Sequence, residues 1–407
     1  MPPTAPVLHP DQLIDVARRY GTPVYVYHAE RIAWQYDRLR RAFSGCESRF
    51  FYACKSLTNL NILRYVRRLG ASLDCVSLNE VRLGLMAGFR PEQVLFTPNC
   101  TDFEEYAAAV DLGVRINIDS LPVLDRFGER YGDAHPVCIR LNPHILAGGN
   151  LKISTGHADS KFGISVEQAD TIGEVVRARR LRVEGIHMHT GSDIRDVDVF
   201  LQGLDLMLRM SARFPDLRFI DLGSGFKVPY RPGDPETDIE RLGTSVAQAF
   251  ERHAAEAGRR LEAWFEPGKF LVSACGYLVV KANIVKRTPT RVFVGVDSGF
   301  NHLIRPMFYD AWHDIANLTN PGGDEQRYTV VGNICETDTF ATDRPLNEVR
   351  EGDLLVFRNA GAYGFEMSSR FNSRLRPAEV LFLDGEARLI RQRETFEDLL
   401  HGQIEVL

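Results

Sequence analysis

Between Arg49 and Gly268 the chain alternates short apolar runs with helical stretches, and this rhythm limits the possible folds more than any single residue does. The runs are Arg49–Ser56, Ser72–Ser77, Gln93–Thr97, Arg115–Asp119, Val137–Asn142, Arg182–Gly191, Arg218–Gly223 and Leu261–Gly268. Eight strands with helical spacers, over roughly 220 residues, have the size and order of a (β/α)8 TIM barrel. Most of them end in polar or special residues: Lys55, Asp74, Asn99, Asp119, Arg140, His187 with His189, Gly223 and Glu266. Such barrels keep their chemistry at the carboxyl ends of the strands, so these residues belong to one rim.

From about Ala274 the pattern changes. Tyr277–Val285, Arg291–Val296, Tyr328–Gly332, Leu354–Arg358, Ala378–Leu383 and Ala387–Arg391 read as strands divided by Gly, Asp and Pro turns, which predicts an all-β domain, a sandwich or small barrel. Residues 23–28 form an isolated strand preceded by an amphipathic segment, Asp11–Arg19, and that strand is expected to complete the later sheet. The expected division is a barrel over 35–274 and a β domain made of 1–34 and 275–407.

Charge and composition exclude several classes. A net charge of −5 and a pI near 6.2 leave no electrostatic footprint for nucleic acid. Met1–Tyr20 has no apolar core, so no signal peptide is visible, and Tyr277–Val285 is too short to span a bilayer. Seven cysteines without a Cys-x-x-Cys spacing argue against a disulfide framework or a structural zinc site, and the cytoplasm is the expected compartment.

Several rim residues carry chemistry. Lys55 follows the aromatic run Phe50-Phe51-Tyr52, and an amine desolvated there acts as a nucleophile that forms Schiff bases with carbonyl groups. Gly223-Ser224-Gly225 after the seventh strand is a phosphate cradle or a tight turn. Glu266 is a base, a metal ligand, an ion-pair member or the partner of a pyridine nitrogen. His187 and His189 are two apart on the sixth strand, which suits a metal pair, as in a metal-dependent barrel hydrolase, or one stacking and one supporting imidazole. In the β domain Arg305 with Tyr309 is a carboxylate clamp, and Cys335 beside Glu336 is an acid–base pair or a packed thiol next to a surface carboxylate. A lysine, a phosphate loop, a ring-pairing carboxylate and anion clamps point jointly to pyridoxal phosphate.

Tyr52-Ala-Cys-Lys55, Ser160-Lys-Phe-Gly-Ile164, His189-Thr-Gly-Ser192, Glu266-Pro-Gly, Cys335-Glu336, Ala360-Gly-Ala-Tyr-Gly-Phe365 and Asn372-Ser-Arg-x-Arg-Pro-Ala-Glu-Val380 carry a resemblance that runs from about Gly21 to about Leu383. The chain resembles the fold type III, alanine-racemase-fold decarboxylases that use pyridoxal 5'-phosphate, above all the branch acting on meso-diaminopimelate. The resemblance implies that Lys55 carries the cofactor as a Schiff base, His189 stacks on its ring and Glu266 pairs with its nitrogen. Gly223, Ser224, Gly225 and Ser192 would hold the phosphate, with Tyr363 reaching it from the β domain, and Asp74 and Arg140 would support Lys55 and the ring. Arg305 and Tyr309 would bind a distal carboxylate, Glu336 a distal ammonium, and Cys335 would donate the proton. Lys269 stands where the family usually has Arg and would lend a point charge to the substrate side. Two further departures are Ser224 in place of a usual glycine and Thr337-Asp338 where Ser-Gly is usual.

The implied reaction on a small amino-acid substrate is decarboxylation of meso-2,6-diaminopimelate to L-lysine and CO2. The alternatives are the related decarboxylases of ornithine, lysine, arginine or carboxynorspermidine. In this family Cys and Glu serve the opposite subunit, which implies an obligate homodimer with shared active sites.

Overall fold

The computed structural model describes residues 5–145, 156–157 and 160–407. Residues 1–4 of the expected β domain, and 146–155, 158 and 159 of the expected barrel, lie outside them. Strands are numbered along the chain: β1 (Val24–His28), β2 (Ser48–Ala53), β3 (Ser72–Cys75), β4 (Val94–Phe96), β5 (Arg115–Ile118), β6 (Val137–Asn142), β7 (Ile164–Ser165), β8 (Val183–His187), β9 (Phe219–Asp221) and β10 (Glu262–Phe265). There follow β11 (Gly276–Arg287), β12 (Val292–Val296), β13 (Ile315–Asn317), β14 (Glu325–Val331), β15 (Thr339–Asn347), β16 (Leu354–Phe357), β17 (Ala378–Leu383) and β18 (Glu386–Arg391).

The chain divides into two compact units. One comprises the described residues of Gln35–Val228 and Pro235–Phe270; the other those of Met1–Trp34, Pro229–Asp234 and Leu271–Leu407.

In the first unit β2, β3, β4, β5, β6, β8, β9 and β10 pair in that order, and β10 returns to β2, so eight strands close a barrel. Every pair is parallel. The eight apolar runs of the sequence are these strands. Parallel strands covered by helices are buried on both faces, which is why they read as continuous apolar runs rather than alternating ones. Several ends differ from the expectation. Lys55 lies in a single 3-10 turn, Cys54–Ser56, just past β2, and β8 stops at His187, so His189 is not a strand residue.

One layer of side chains shows how the barrel fills. Phe51, Leu95, Cys138, Phe219 and Trp264 come from five strands and form one buried cluster, a meeting that only the barrel interior permits. The Trp264 ring stacks on Phe219 at 3.4 Å and 5°, and its indole N–H donates to Glu262 Oε2 at 2.7 Å. Gly185 on β8 makes room for Phe219: a Cβ there would lie 2.1 Å from the ring.

In the second unit β15, β14, β12, β11, β1, β17 and β18 are neighbours in that order, and β16 joins β11 to β13. The strand near the N-terminus is therefore a central strand of the later sheet, antiparallel to β11 and parallel to β17. All five of its residues are buried. The helix Pro10–Tyr20 lays Leu13, Val16 and Ala17 on Val24, Val26, Val279 and Val380 of this sheet. The Tyr27 hydroxyl donates to the buried Glu379 at 2.7 Å, and Glu379 also pairs with Arg391. Among the described residues no helix is long and apolar enough to cross a membrane.

Gly185→Ala forces a methyl into the Phe219–Trp264 layer, and overpacking of this kind costs about 1–3 kcal/mol. The expected outcome is a lower urea midpoint with an unchanged slope, read by tryptophan fluorescence, whereas Gly322→Ala, which meets nothing within 4 Å, serves as the control.

Candidate active site

The barrel rim gathers Lys55, Asp74, Arg140, His187, Asp221 and Glu266. Each stands within two positions of the carboxyl end of its strand, because parallel strands deliver their ends to the same side. Lys55 Nζ lies 3.3 Å from Asp74 Oδ2; the lysine side chain is 40% exposed and the aspartate 1%. The amine thus bridges an open rim and a buried carboxylate. Burial, then the nearby Glu266, pushes Asp74 up to about 6, against the pull of Lys55 and His187.

Glu266 is buried, and His187 Nε2 approaches its Oε2 at 3.2 Å. Burial, followed by repulsion from Arg140, holds His187 well below the usual imidazole range. A neutral imidazole that faces a carboxylate through Nε2 carries its proton there and donates it. Asp221 belongs to the same group: one atom each of His187, Asp221 and Glu266 lies within 4.8 Å of the others. Burial raises both carboxyls, Asp221 well above its ordinary range with Glu266 as the second cause, while Lys55 and Arg140 oppose the rise at Glu266. Two carboxyls this close out of water disfavour ionisation of both at once, and Lys55 and Arg140 are the charges that favour the ionised form of Glu266.

Arg140 is 6% exposed, lies 4.6 Å over the Phe162 ring and has no hydrogen-bond or ion-pair partner among the described residues. Asn99 binds the Asp119 carboxylate beside it on the rim.

The loop Gly223-Ser224-Gly225 is laced to the segment after β8. Gly223 N–H donates to Asp221 Oδ1 at 2.9 Å, Ser224 N–H to His189 Nδ1 at 3.4 Å and Ile194 N–H to Gly225 O at 2.9 Å. Gly223 and Gly225 have φ of 62° and 92°, and a Cβ on Gly225 would lie 2.1 Å from Gly191 O. The two glycines are thus fixed by backbone shape and by close approach. Ser192 lies in the facing segment, half-buried. His189, like His187, is held well below the ordinary range by burial. Among the described residues it is not part of the group of His187, Asp221 and Glu266. Lys269 donates to Asp193 Oδ1 at 2.8 Å, which occupies its ammonium in the barrel unit.

The other candidates lie in the sheet unit. Arg305 opens the short helix Arg305–Tyr309, is 6% exposed, and stacks 5.2 Å from the Tyr230 ring and 5.8 Å from Tyr309. Its buried Nε has no hydrogen-bond partner, and the guanidinium has no anionic partner among the described residues. His313, edge-on to Tyr230 at 5.4 Å, is pushed down to about 3 by burial and then by Arg305. Tyr363 is half-buried with φ of 55°.

Cys335 and Glu336 are exposed, on a stretch held from two sides. Asn372 accepts from Cys335 N–H at 2.9 Å and donates to its Sγ at 3.1 Å. The buried Asp338 carboxylate accepts from Phe300 N–H at 2.7 Å and Ile334 N–H at 3.2 Å. A Cβ on Gly332 would lie 2.0 Å from Asp338 Oδ2.

Sequence reasoning passed over Asp221, Asn372, Asp338, Tyr230 and Asp193 as site residues. Asp221 had a signal, an acid closing a strand just before a glycine loop. The others act through contacts distant in sequence, with no local pattern to find.

The family model described as "Pyridoxal-dependent decarboxylase, pyridoxal binding domain" matches residues 29–273. The diaminopimelate decarboxylase of Methanothermobacter thermautotrophicus is 40% identical over 96% of this chain and 93% of its own length. That of Pseudomonas aeruginosa is 37% identical over 95% and 94%. A crystal structure of diaminopimelate decarboxylase from Helicobacter pylori complexed with L-lysine has a TM-score of 0.88 at 30% identity, over 95% of this chain and 98% of that one.

Asp338→Ala removes the acceptor shared by Phe300 and Ile334, each bond being worth about 1.5–3 kcal/mol when the acceptor is charged. Hydrogen exchange at those two amides is expected to accelerate at least about tenfold, since roughly 1.4 kcal/mol is a factor of ten, with protection in β2–β10 unchanged. Equal protection in variant and parent would refute this anchoring.

Proposed function

Because the chain belongs to the pyridoxal-dependent decarboxylases, we propose that it converts meso-2,6-diaminopimelate to L-lysine and CO2 with pyridoxal 5'-phosphate held at the barrel rim. The observation that carries this reading is Glu266, a buried carboxyl at the rim with His187 Nε2 3.2 Å from its Oε2 and with Lys55 and Arg140 favouring its charged form. A ring nitrogen that must stay protonated requires such a partner. The rest of the rim fits the same group. Lys55 supplies the amine for its carbonyl, Arg140 a buried guanidinium with no partner among the described residues, and Gly223-Ser224-Gly225 with Ser192 a cradle for its phosphate. When bound, pyridoxal phosphate supplies a carbonyl that takes up the substrate amine and a protonated ring that accepts the electron pair left by CO2.

The chain's own groups do the rest. His189 would stack on the ring, and its neutral state would keep a second positive charge away from a ring that draws electrons in. Asp74 orients Lys55 and, near 6, exchanges protons with the amine at working pH. Arg305 between two tyrosines takes the distal carboxylate, with Tyr309 closing on it and Glu336 reading the distal ammonium. Tyr363 adds a hydroxyl to the phosphate. Lys269, tied to Asp193, shapes the substrate side through that ion pair. Cys335, its thiol held by Asn372, returns a proton to the carbon that lost CO2, and solvent restores the thiol. Ornithine, lysine and arginine lack a second amino-acid head and leave Arg305, Tyr309 and Glu336 without joint use. We assign Cys335 and Glu336 to the site of a second copy, so the working enzyme is a homodimer. Seven cysteines without a disulfide fit a reducing compartment, and we place the chain in the cytoplasm.

Lys55→Ala is expected to abolish turnover to within the assay background. Borohydride reduction of the parent should leave a pyridoxyl label on the peptide containing Lys55; a label on Lys161 or Lys269 would overturn the assignment. Scoring CO2 release over a panel of diamino and basic amino acids separates the substrates. For the shared site, Lys55→Ala and Cys335→Ala chains are mixed and allowed to exchange. Half the dimers become mixed and each has one intact site, so about a quarter of parent activity should return by symmetry. No recovery after exchange proven by native mass spectrometry would place both residues in one chain's site.

A further inference from the structure

Beside Lys55 the rim carries a second group of reactive side chains that decarboxylation does not use. The parallel register of β2 with β3 sets Ala53 against Asp74, and the next residue along each segment is a cysteine, Cys54 in the turn past β2 and Cys75 at the end of β3. Both are fully buried, and neither is in a disulfide. The helix Leu78–Met86 begins just past β3, where Ser77 Oγ accepts from Glu80 N–H at 3.2 Å. Its first turn carries Glu80 back over the strand end, and Val76 N–H donates to Glu80 Oε2 at 2.7 Å. The ligand atoms of Cys54, Cys75 and Glu80 all lie within 4.8 Å of one another.

Packing accounts for two small thiols in a core, and the bond to Val76 N–H holds the Glu80 carboxylate within 4.8 Å of both. A carboxylate beside two protonated thiols disfavours ionisation of each: burial first, then Cys54 and Glu80, keep the Cys75 thiol well above its ordinary range. The cluster becomes favourable when a cation sits at its centre.

We propose that Cys54, Cys75 and Glu80 form a site for a soft divalent cation of the zinc and cadmium class, and that filling it slows the reaction at Lys55. Thiolates select such ions over magnesium and calcium. Zinc binds sulfur at about 2.3 Å and carboxylate oxygen at about 2.1 Å, and three protein ligands leave a fourth, tetrahedral position for water. Two sulfurs on one such ion stand about 3.8 Å apart, so the cluster closes by a small movement. The ion replaces one proton on each thiol; two protons pass to solvent, and no electrons move. Glu80, half-buried with the exposed Val76 beside it, marks the side from which the ion enters. Coupling to the amine follows from the chain itself. Cys54 shares the turn Cys54–Ser56 with Lys55, and Cys75 directly follows Asp74, which holds the Lys55 ammonium at 3.3 Å. Drawing both sulfurs onto one ion shifts the two backbone positions that flank this pair.

The test loads the holoenzyme with Zn2+, removes the excess by gel filtration and counts bound metal by mass spectrometry; parallel samples with Cd2+ are read by the ultraviolet thiolate-to-cadmium absorbance. The parent is expected to retain one equivalent per chain more than Cys54→Ala or Cys75→Ala, and either variant should lose the cadmium band. Glu80→Gln, which leaves the barrel interior untouched, should keep the band and bind more weakly. Turnover of the parent should fall with occupancy and return on adding EDTA, while Cys75→Ala is not inhibited. Equal metal in the parent and both cysteine variants would overturn the site, because the ion would then sit elsewhere, for instance at the exposed Cys100 or Cys335. Full occupancy with unchanged turnover would overturn the coupling. The metal count and the cadmium band need no catalysis, so they stand or fall independently of the decarboxylase reading.

Discussion

Holding Glu266 out of water beside other acids is the constraint on which the rim is built. An ionised carboxylate stripped of solvent is tolerated only when neighbours replace the lost hydration. Here two other acids, Asp74 and Asp221, stand close by and make matters worse. The answer is an unequal sharing. Burial holds Asp221 well above its ordinary range and Asp74 at about 6, Lys55 and Arg140 oppose the rise at Glu266, and His187 faces it as a neutral ring. A charged His187 would add to the cations that already repel it, and its burial forbids that. These groups come from six different strands, and only a closed parallel barrel brings six strand ends to one ring.

A second constraint works in the sheet unit by different means. Arg305 is a buried cation offset by the faces of two tyrosines instead of an acid. Ring faces stabilise a guanidinium while leaving its fork of donors unspent, so specificity for a planar carboxylate is preserved. Glu394 shows the opposite choice. Arg370 and Arg376 both bind it, its pKa falls to about 2, and it locks chain segments together with nothing left over for a ligand.

Much of this was legible in the sequence because burial on both faces writes itself as apolar runs. All eight barrel strands were visible for that reason, and so was β1, whose Val-Tyr-Val-Tyr run is buried at every position. The failures have equally physical causes. β15 contains Asp343, Arg344 and Pro345, with Asp343 at φ 49°, and half its length faces water, so it looks like a loop. β13 has three residues, too few to show any period. His189 was placed on a strand because Met188 between the histidines continues the alternation, yet the ladder ends where the backbone turns to meet Gly223. Lys55, Glu266 and the glycine loop could be read from their places at strand ends. Asn372 behind Cys335 and Tyr230 beneath Arg305 could not, since only the fold brings residues 37 and 75 positions apart into contact.

The central place of β1 has a consequence for how the chain is made. Its partners begin at Gly276 and Ala378, so Val24 waits for Val279 on one edge and Ala378 on the other. The entropy of closing so long a loop grows only slowly with length, so equilibrium stability hardly suffers. Time is the scarcer quantity. At a synthesis rate of about 5–20 residues per second, the interval between β1 and β17 leaving the ribosome is roughly 20–70 s. The barrel's strands, all between Ser48 and Phe265, are complete long before that. Until β11 emerges both edges of this short apolar strand are unpaired, and until β17 emerges one still is, which is the form most open to pairing with the wrong neighbour. A chaperone that shields an extended Val-Tyr-Val-Tyr segment would therefore raise the yield of native protein without touching the barrel or its chemistry.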